Sequence, residues 1–481
     1  MKWNRAALLV TGLVGVASAA VSLDQGSGHG RPSHLERRQD QAPATEEQQY
    51  AIYRQAFSDP VGAAKAANAL PYMANQYATG GLSRYNVAGD NKQLPWNSAV
   101  PVLPIADVNG SVDGGWQEIP DIQGMTLNRS TVIGDNAVMP FYISQGYDAS
   151  KIKRVVMVMP GKPRDSWKYT SLIQDALAVQ LTNSSSTVSA DEVLIIGPCW
   201  MNQNDHTAGA IRDNELYWTN GQWQSGMASR GPGDTAISSY EVMDFFLDML
   251  FDQAQFPQLK KVVIAGHSMG AQMVQRYAVL KKPASYDPNV AFWIGNPGSY
   301  VWVTDDRPNS DSSCSGGNDW AYGLSGSGVP NYGRDRVQND KDNLVAAFRA
   351  RNVHYNYGLL DNGQGDTRCQ AAQQGANHLE RGCKFVESLA AMSGGFPATH
   401  TANFMPNVSH VDYSMLSYNI SLWRLFDEDS VGGSTLLGTS SSPAAGARAE
   451  QSSSSATATL SLQATVLSGA AAVVYGLTQM L

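Results

Sequence analysis

The sequence is short of charge, of cysteine and of long apolar runs. Charged residues make up 16% of its 481 positions, with a net charge of −8 and no basic run. Nothing in that balance offers a footprint for nucleic acid. No C-x-x-C and no H-E-x-x-H occurs, so the spacings that announce a metal site are absent, and neither metal nor cofactor is expected. The apolar stretches at both ends are too short or too diluted to read as membrane spans.

The four cysteines are Cys199, Cys314, Cys369 and Cys383. An even count suits two disulfides in an oxidising compartment. Cys369 with Cys383 closes a short local loop, which leaves Cys199 for Cys314. The N-terminus supports that compartment. Lys2 and Arg5 precede the short apolar run Ala6 to Val16, and Ala17-Ser18-Ala19 supplies small residues before a cut. Residues 1–19 therefore read as a signal peptide. Residues 20–38 read as a propeptide ending at Leu35-Glu36-Arg37-Arg38, a dibasic site of the fungal secretory type. Five N-x-S/T sequons, at Asn109, Asn128, Asn183, Asn407 and Asn419, are candidate glycan acceptors.

Residues 39–130 read as an extension packed on the core, with helical starts at Thr45 to Phe57 and Val61 to Met73. A Pro- and Gly-rich loop follows, Leu94 to Gly124. From 131 to about 430 apolar strands alternate with helical segments. Strand candidates are Val138–Ser144, Arg154–Met159, Glu192–Gly197, Val290–Gly295 and Val353–Gly358. Helices are expected at Trp167 to Leu181, Ser238 to Phe251 and Gln370 to Ala390. Such alternation predicts an α/β fold with a mostly parallel central sheet and helices on both faces. Residues 431–481 are rich in Ser, Thr and Ala, and charge disappears after Glu450. That tail resembles a stalk with a GPI-attachment signal; a plain tail and a membrane span are the other readings.

One stretch carries the chemistry. Lys260 to Ile264 is a buried-strand run, and Gly266-His267-Ser268-Met269-Gly270 follows it into a helical segment. A serine on such a turn has its hydroxyl raised above the sheet. Its flanks must be small, because strand and helix pass close together there. Serine needs a base, and histidine suits that task near neutral pH. Only His354, His378, His400 and His410 follow Ser268. His354 lies in an apolar strand and His378 in a predicted helix. His410 closes a turn-rich stretch and is the favoured base, with His400 behind it. A carboxylate must orient the base. Asp361, three residues past a strand, is preferred; Asp366 is second, and Asp305 and Asp306 are distant. The oxyanion donors are placed at the Met269 N–H and at Gly161 or Lys162, with Gly161 preferred. His267 is expected to point away from the base position.

These residues resemble the α/β-hydrolase superfamily, and within it a group of fungal secreted hydrolases. The resemblance runs over residues 130 to 425. It is carried by Val156–Gly161 with Arg164-Asp165, Ile195–Pro198, Gly266–Gly270, Gly295–Tyr300, Asp306-Arg307-Pro308, Gln374-Gly375, His378–Gly382 and Val408-Ser409-His410. It implies an α/β-hydrolase catalytic domain over 131–430, a Ser-His-Asp serine hydrolase and no metal. The oxyanion loop departs from the pattern, with Pro160-Gly161 where many relatives carry His-Gly. The expected substrate is a small-molecule or polymer ester. The alternative is a catalytically silent binding protein at the cell surface, with Trp200, Trp218 and Trp223 offering aromatic faces to glycans.

Overall fold

The computed structural model describes residues 44–71, 103, 105–134 and 136–428. The expected leader, propeptide and tail, at 1–19, 20–38 and 431–481, lie outside the described residues. Two helices open the described chain, α1 (Glu46–Gln55) and α2 (Pro60–Ala69). Thr45 and Gln48 form a capping box on α1, and Asp59 caps α2 with Pro60 in its first turn. Both devices satisfy N–H groups that a helix start leaves without partners.

An eight-stranded sheet follows: β1 (Met125–Asn128), β2 (Phe141–Ser144), β3 (Arg154–Met159), β4 (Val193–Pro198), β5 (Lys261–His267), β6 (Val290–Gly295), β7 (Asn352–Gly358) and β8 (His400–Met405). Across the sheet the order is β1-β2-β4-β3-β5-β6-β7-β8. β2 runs antiparallel to its neighbours, and β3 to β8 are mutually parallel. Among the helices that pack on this sheet are α3 (Ser166–Leu181), α4 (Ser239–Leu250), α5 (Met269–Leu280), α6 (Lys341–Ala350) and α7 (His378–Ala391). This is the α/β-hydrolase fold. The sheet begins at Met125, ahead of the boundary at 131 that the sequence suggests.

The period of two in a strand divides the core into two layers. In β5, Val262 and Ile264 face a cluster with Phe246, Val274, Phe348 and Phe385, from α4, α5, α6 and α7. Val263 and Ala265 face the opposite cluster, which holds Leu172 and Ile173 of α3 and Leu425 near the end of the described chain. Every residue of β3, β5 and β6 is buried. A strand covered on both faces needs no polar alternation, and so reads as a continuous apolar run. The N-terminal helices join the α7 side. Ala63, Ala64 and Ala67 are buried on α2, and such small side chains let it lie close against α7.

Three sequence expectations give way. The disulfide joins Cys314 to Cys369, with Cα atoms 5.8 Å apart, while Cys199 and Cys383 are buried thiols. Cys383 sits within α7 on its core-facing side, so it cannot turn to Cys369. The helix expected over Gln370 to Ala390 is broken between Ala372 and His378, where Gly375 takes a φ of 153°. Trp200, Trp218 and Trp223 are wholly buried and pack on one another, so their faces are closed to glycans. No helix among the described residues is long and apolar enough to cross a membrane.

Candidate active site

β5 ends at His267, and α5 starts at Met269, so Ser268 alone makes the turn. Its backbone sits at φ 59°, ψ −120°, a conformation L-residues adopt only when their surroundings impose it. The glycines around it are forced by contact. A Cβ on Gly266 would lie 2.4 Å from the Gly270 carbonyl carbon, and one on Gly270 would lie 2.5 Å from the Met159 oxygen. Met269 opens α5, whose first N–H groups have no partner within the helix.

Asp361 and His410 reach the same edge of the sheet. Asp361 follows the carboxyl end of β7 and is fully buried. His410 follows β8, and its Nδ1 stands 2.8 Å from Asp361 Oδ2. The loop bearing His410 is tied down from both sides. The Asn296 side chain donates to the Ser409 carbonyl, and the Leu360 N–H donates to the Val408 carbonyl at 2.8 Å. His267 is not turned away from this group as expected. Its ring lies 4.5 Å from that of His410, which sets the residue before Ser268 directly against the imidazole.

A second imidazole stands on the same carboxylate. His378 Nδ1 lies 3.0 Å from Asp361 Oδ1, and its ring stacks on His410 at 4.3 Å. The helix expected over Gln370 to Ala390 would place His378 in its interior. It is instead the first residue of α7, and Asn377 caps that helix by accepting from the Glu380 N–H at 2.9 Å. The Asn-x-x-Glu spacing at 377–380 marks that start in the sequence. Burial alone would raise the Asp361 pKa. The charges and hydrogen bonds of His378 and His410 outweigh it and hold the carboxyl well below its usual range. Burial also lowers the pKa of His378, and lowers that of His267 further, with His410 adding to the latter.

Asp361, His378 and His410 are also the donors near enough to share a metal ion among the described residues. Each imidazole Nδ1, however, meets its own carboxylate oxygen at hydrogen-bond length, and a metal would have to displace both protons.

The other candidates fall elsewhere. Asp366 pairs with Arg368 at 2.8 Å and accepts from the Tyr322 hydroxyl at 2.8 Å, with no histidine on it. Burial opposes its ionisation, yet Arg368 holds its pKa down to about 2. Asp305 faces Lys341 on the surface. His400 begins β8 and His354 lies near the start of β7, so both stand at the amino edge, a strand length from Ser268. Of the oxyanion pair, Gly161 follows β3 as expected, with the Tyr169 hydroxyl close beside it. That hydroxyl lies 3.4 Å from His267 Nδ1. Lys162 remains the alternative donor from this loop. The loop itself is rigid. Arg164, at φ 65°, makes a two-pronged buried pair with Asp205 at 2.7 and 2.9 Å, and Trp116 Nε1 donates to the Pro163 carbonyl at 2.6 Å.

No known family model matches the chain, and no curated protein does. Solved structures resemble it only at low identity. LpqC, a poly(3-hydroxybutyrate) depolymerase from Bordetella parapertussis, is 19% identical over 62% of this chain and 88% of its own, with a TM-score of 0.42. Poly(aspartic acid) hydrolase-1 from Sphingomonas sp. KT-1 is 16% identical over 61% of this chain and 96% of its own, with a TM-score of 0.42. The siderophore hydrolase EstB from Aspergillus nidulans is 11% identical over 63% of this chain and 93% of its own, with a TM-score of 0.34. Likeness this slight says nothing about what is cleaved.

The Asn407 sequon lies three residues before His410, yet its side chain leads away from the site. Its amide nitrogen donates to Glu46 Oε1 at 3.0 Å, and its oxygen accepts from Gln49. A glycan on that nitrogen would have to displace α1.

Proposed function

We propose that this chain is a serine hydrolase that cleaves carboxylic esters through an acyl-enzyme. One observation carries the reading: Asp361 and His410 meet at 2.8 Å on the sheet edge where the β5–α5 turn presents Ser268. Asp361 fixes the His410 proton on Nδ1, which leaves Nε2 as the base. Ser268 Oγ attacks the carbonyl carbon while His410 takes its proton. The oxyanion is met by the Met269 N–H and by an N–H of the Gly161–Lys162 loop. Collapse breaks the carbon–oxygen bond, and His410 returns the proton to the departing alcohol. Water, deprotonated by His410, then releases the acid and restores Ser268. The substrate is a small-molecule or polymer ester, with amides less favoured.

We further propose that the protein works outside the cell, held at the surface by the GPI signal read in 431–481. The Cys314–Cys369 disulfide supports passage through an oxidising compartment. Fluorophosphonate labelling of the purified protein tests the catalytic reading. Wild type is expected to label, and Ser268→Ala to lose labelling while unfolding at an unchanged temperature. A folded wild type that does not label would favour the silent binding protein instead.

A further inference from the structure

A Ser-His-Asp triad has no task for His378, yet the ring is built into the site. Asp361, His378 and His410 are all buried, and the two imidazoles lie 18° from parallel. Each takes a different oxygen of one carboxylate, at 3.0 and 2.8 Å. A lone pair on His378 Nδ1 would repel that oxygen, so Nδ1 carries the proton, and the contact is an ion pair rather than an aligned hydrogen bond. The other side of the ring is fixed by the chain. His378 Nε2 abuts Gly365, at φ 60°, where a Cβ would lie 2.2 Å away. The His378 N–H also donates to the Gly363 carbonyl, and the Leu379 N–H to that of Asp361, both at 3.1 Å. The start of α7 thus grips the loop that carries the acid.

We propose, resting on the catalytic reading above, that His378 is a positioning residue for Asp361. It holds the carboxylate in the rotamer that serves His410. Removing the ring frees Asp361 to turn, and His410 then loses the partner that fixes its tautomer. His267 on β5 still packs against the His410 ring at 4.5 Å.

The test compares His378→Leu, which removes the donor, with His378→Asn, whose amide nitrogen stands near the place of Nδ1. For His378→Leu, kcat on a p-nitrophenyl ester is expected to fall about 10- to 100-fold with KM within about 2-fold. His378→Asn should recover kcat to within about 3-fold of wild type. The proposal is overturned if both variants lose activity equally, which is the mark of a packing role. It is overturned too if His378→Leu matches wild type. NMR of the His410 ring separates this from the catalytic reading. Should wild type prove inactive, a His410 ring resonance that shifts in His378→Leu and returns in His378→Asn still supports the contact, and an unshifted resonance overturns it.

Discussion

Gly270 holds Ser268 in place more tightly than any polar contact does. A methyl group there would meet the carbonyl oxygens of Met159 and Pro160 at 2.5 and 2.6 Å, and backbone atoms cannot swing aside as a side chain can. Gly270→Ala must therefore push α5 away from the end of β3. Overpacking of this kind costs about 1–3 kcal/mol, which a large domain can absorb. The effect on the site should be greater than the effect on the fold. The loop that would hold the oxyanion in the proposed mechanism starts at Pro160, and a displacement of about 1 Å lowers rates about 100-fold where geometry is set this closely. Gly270→Ala is expected to fold, with a slightly lower melting temperature, and to react with fluorophosphonate about 100-fold more slowly. A variant that labels at the wild-type rate would show that the turn has more room than these distances allow.

At the scale of elements, the site depends on loops clamped from outside the sheet. Asp205 takes the Arg164 guanidinium in two hydrogen bonds and also accepts from the Trp116 N–H at 2.9 Å. All of this is buried, so Asp205→Ala strands a charge; one-sided removals of this kind cost about 3–5 kcal/mol. Thermal unfolding should show that loss, and kcat should fall with it as the oxyanion loop loosens, while Asp205→Asn retains part of both. How much of this was legible depends on how each element meets its polar groups. β3, β5 and β6 were plain because they are buried on both faces. β8 was not, since His400, Thr401 and Asn403 look like loop residues. In the sheet they are satisfied from β7 and its surroundings: Thr401 by His354, and Asn403 by the Tyr355 carbonyl and the Asn356 side chain. Ser268, Asp361 and His410 could be picked out because chain order and strand ends constrain them. His378 could not, because one apparent helix hid a break and a cap. The cysteine pairing failed for a similar reason: nearness in sequence did not reveal that α7 turns Cys383 inward.

Across the whole molecule, buried carboxylates pull stability in opposite directions with pH. Asp361 has its pKa lowered, so its contribution is present above the unfolded value near about 4 and is lost as pH falls through the folded one. Asp175 behaves in the reverse way. It is buried on α3 with one oxygen accepting from the Leu103 N–H, and burial pushes its pKa up to about 7. Its contribution is fully present below about 4 and disappears as pH rises through 7. Burial raises Glu428 to about 7 as well, so the alkaline side of the stability curve is shared. Asp175→Asn keeps the shape and can still accept from Leu103, but it never ionises. Its melting temperature should match wild type near about pH 4 and exceed it increasingly toward about pH 8, where the gain is about 2 kcal/mol. Paired thermal scans of the two proteins across that range would check it. A difference that stays constant with pH would mean that Asp175 is ionised at no cost, and that the alkaline loss belongs to other buried carboxyls such as Glu428, Asp165 and Asp244.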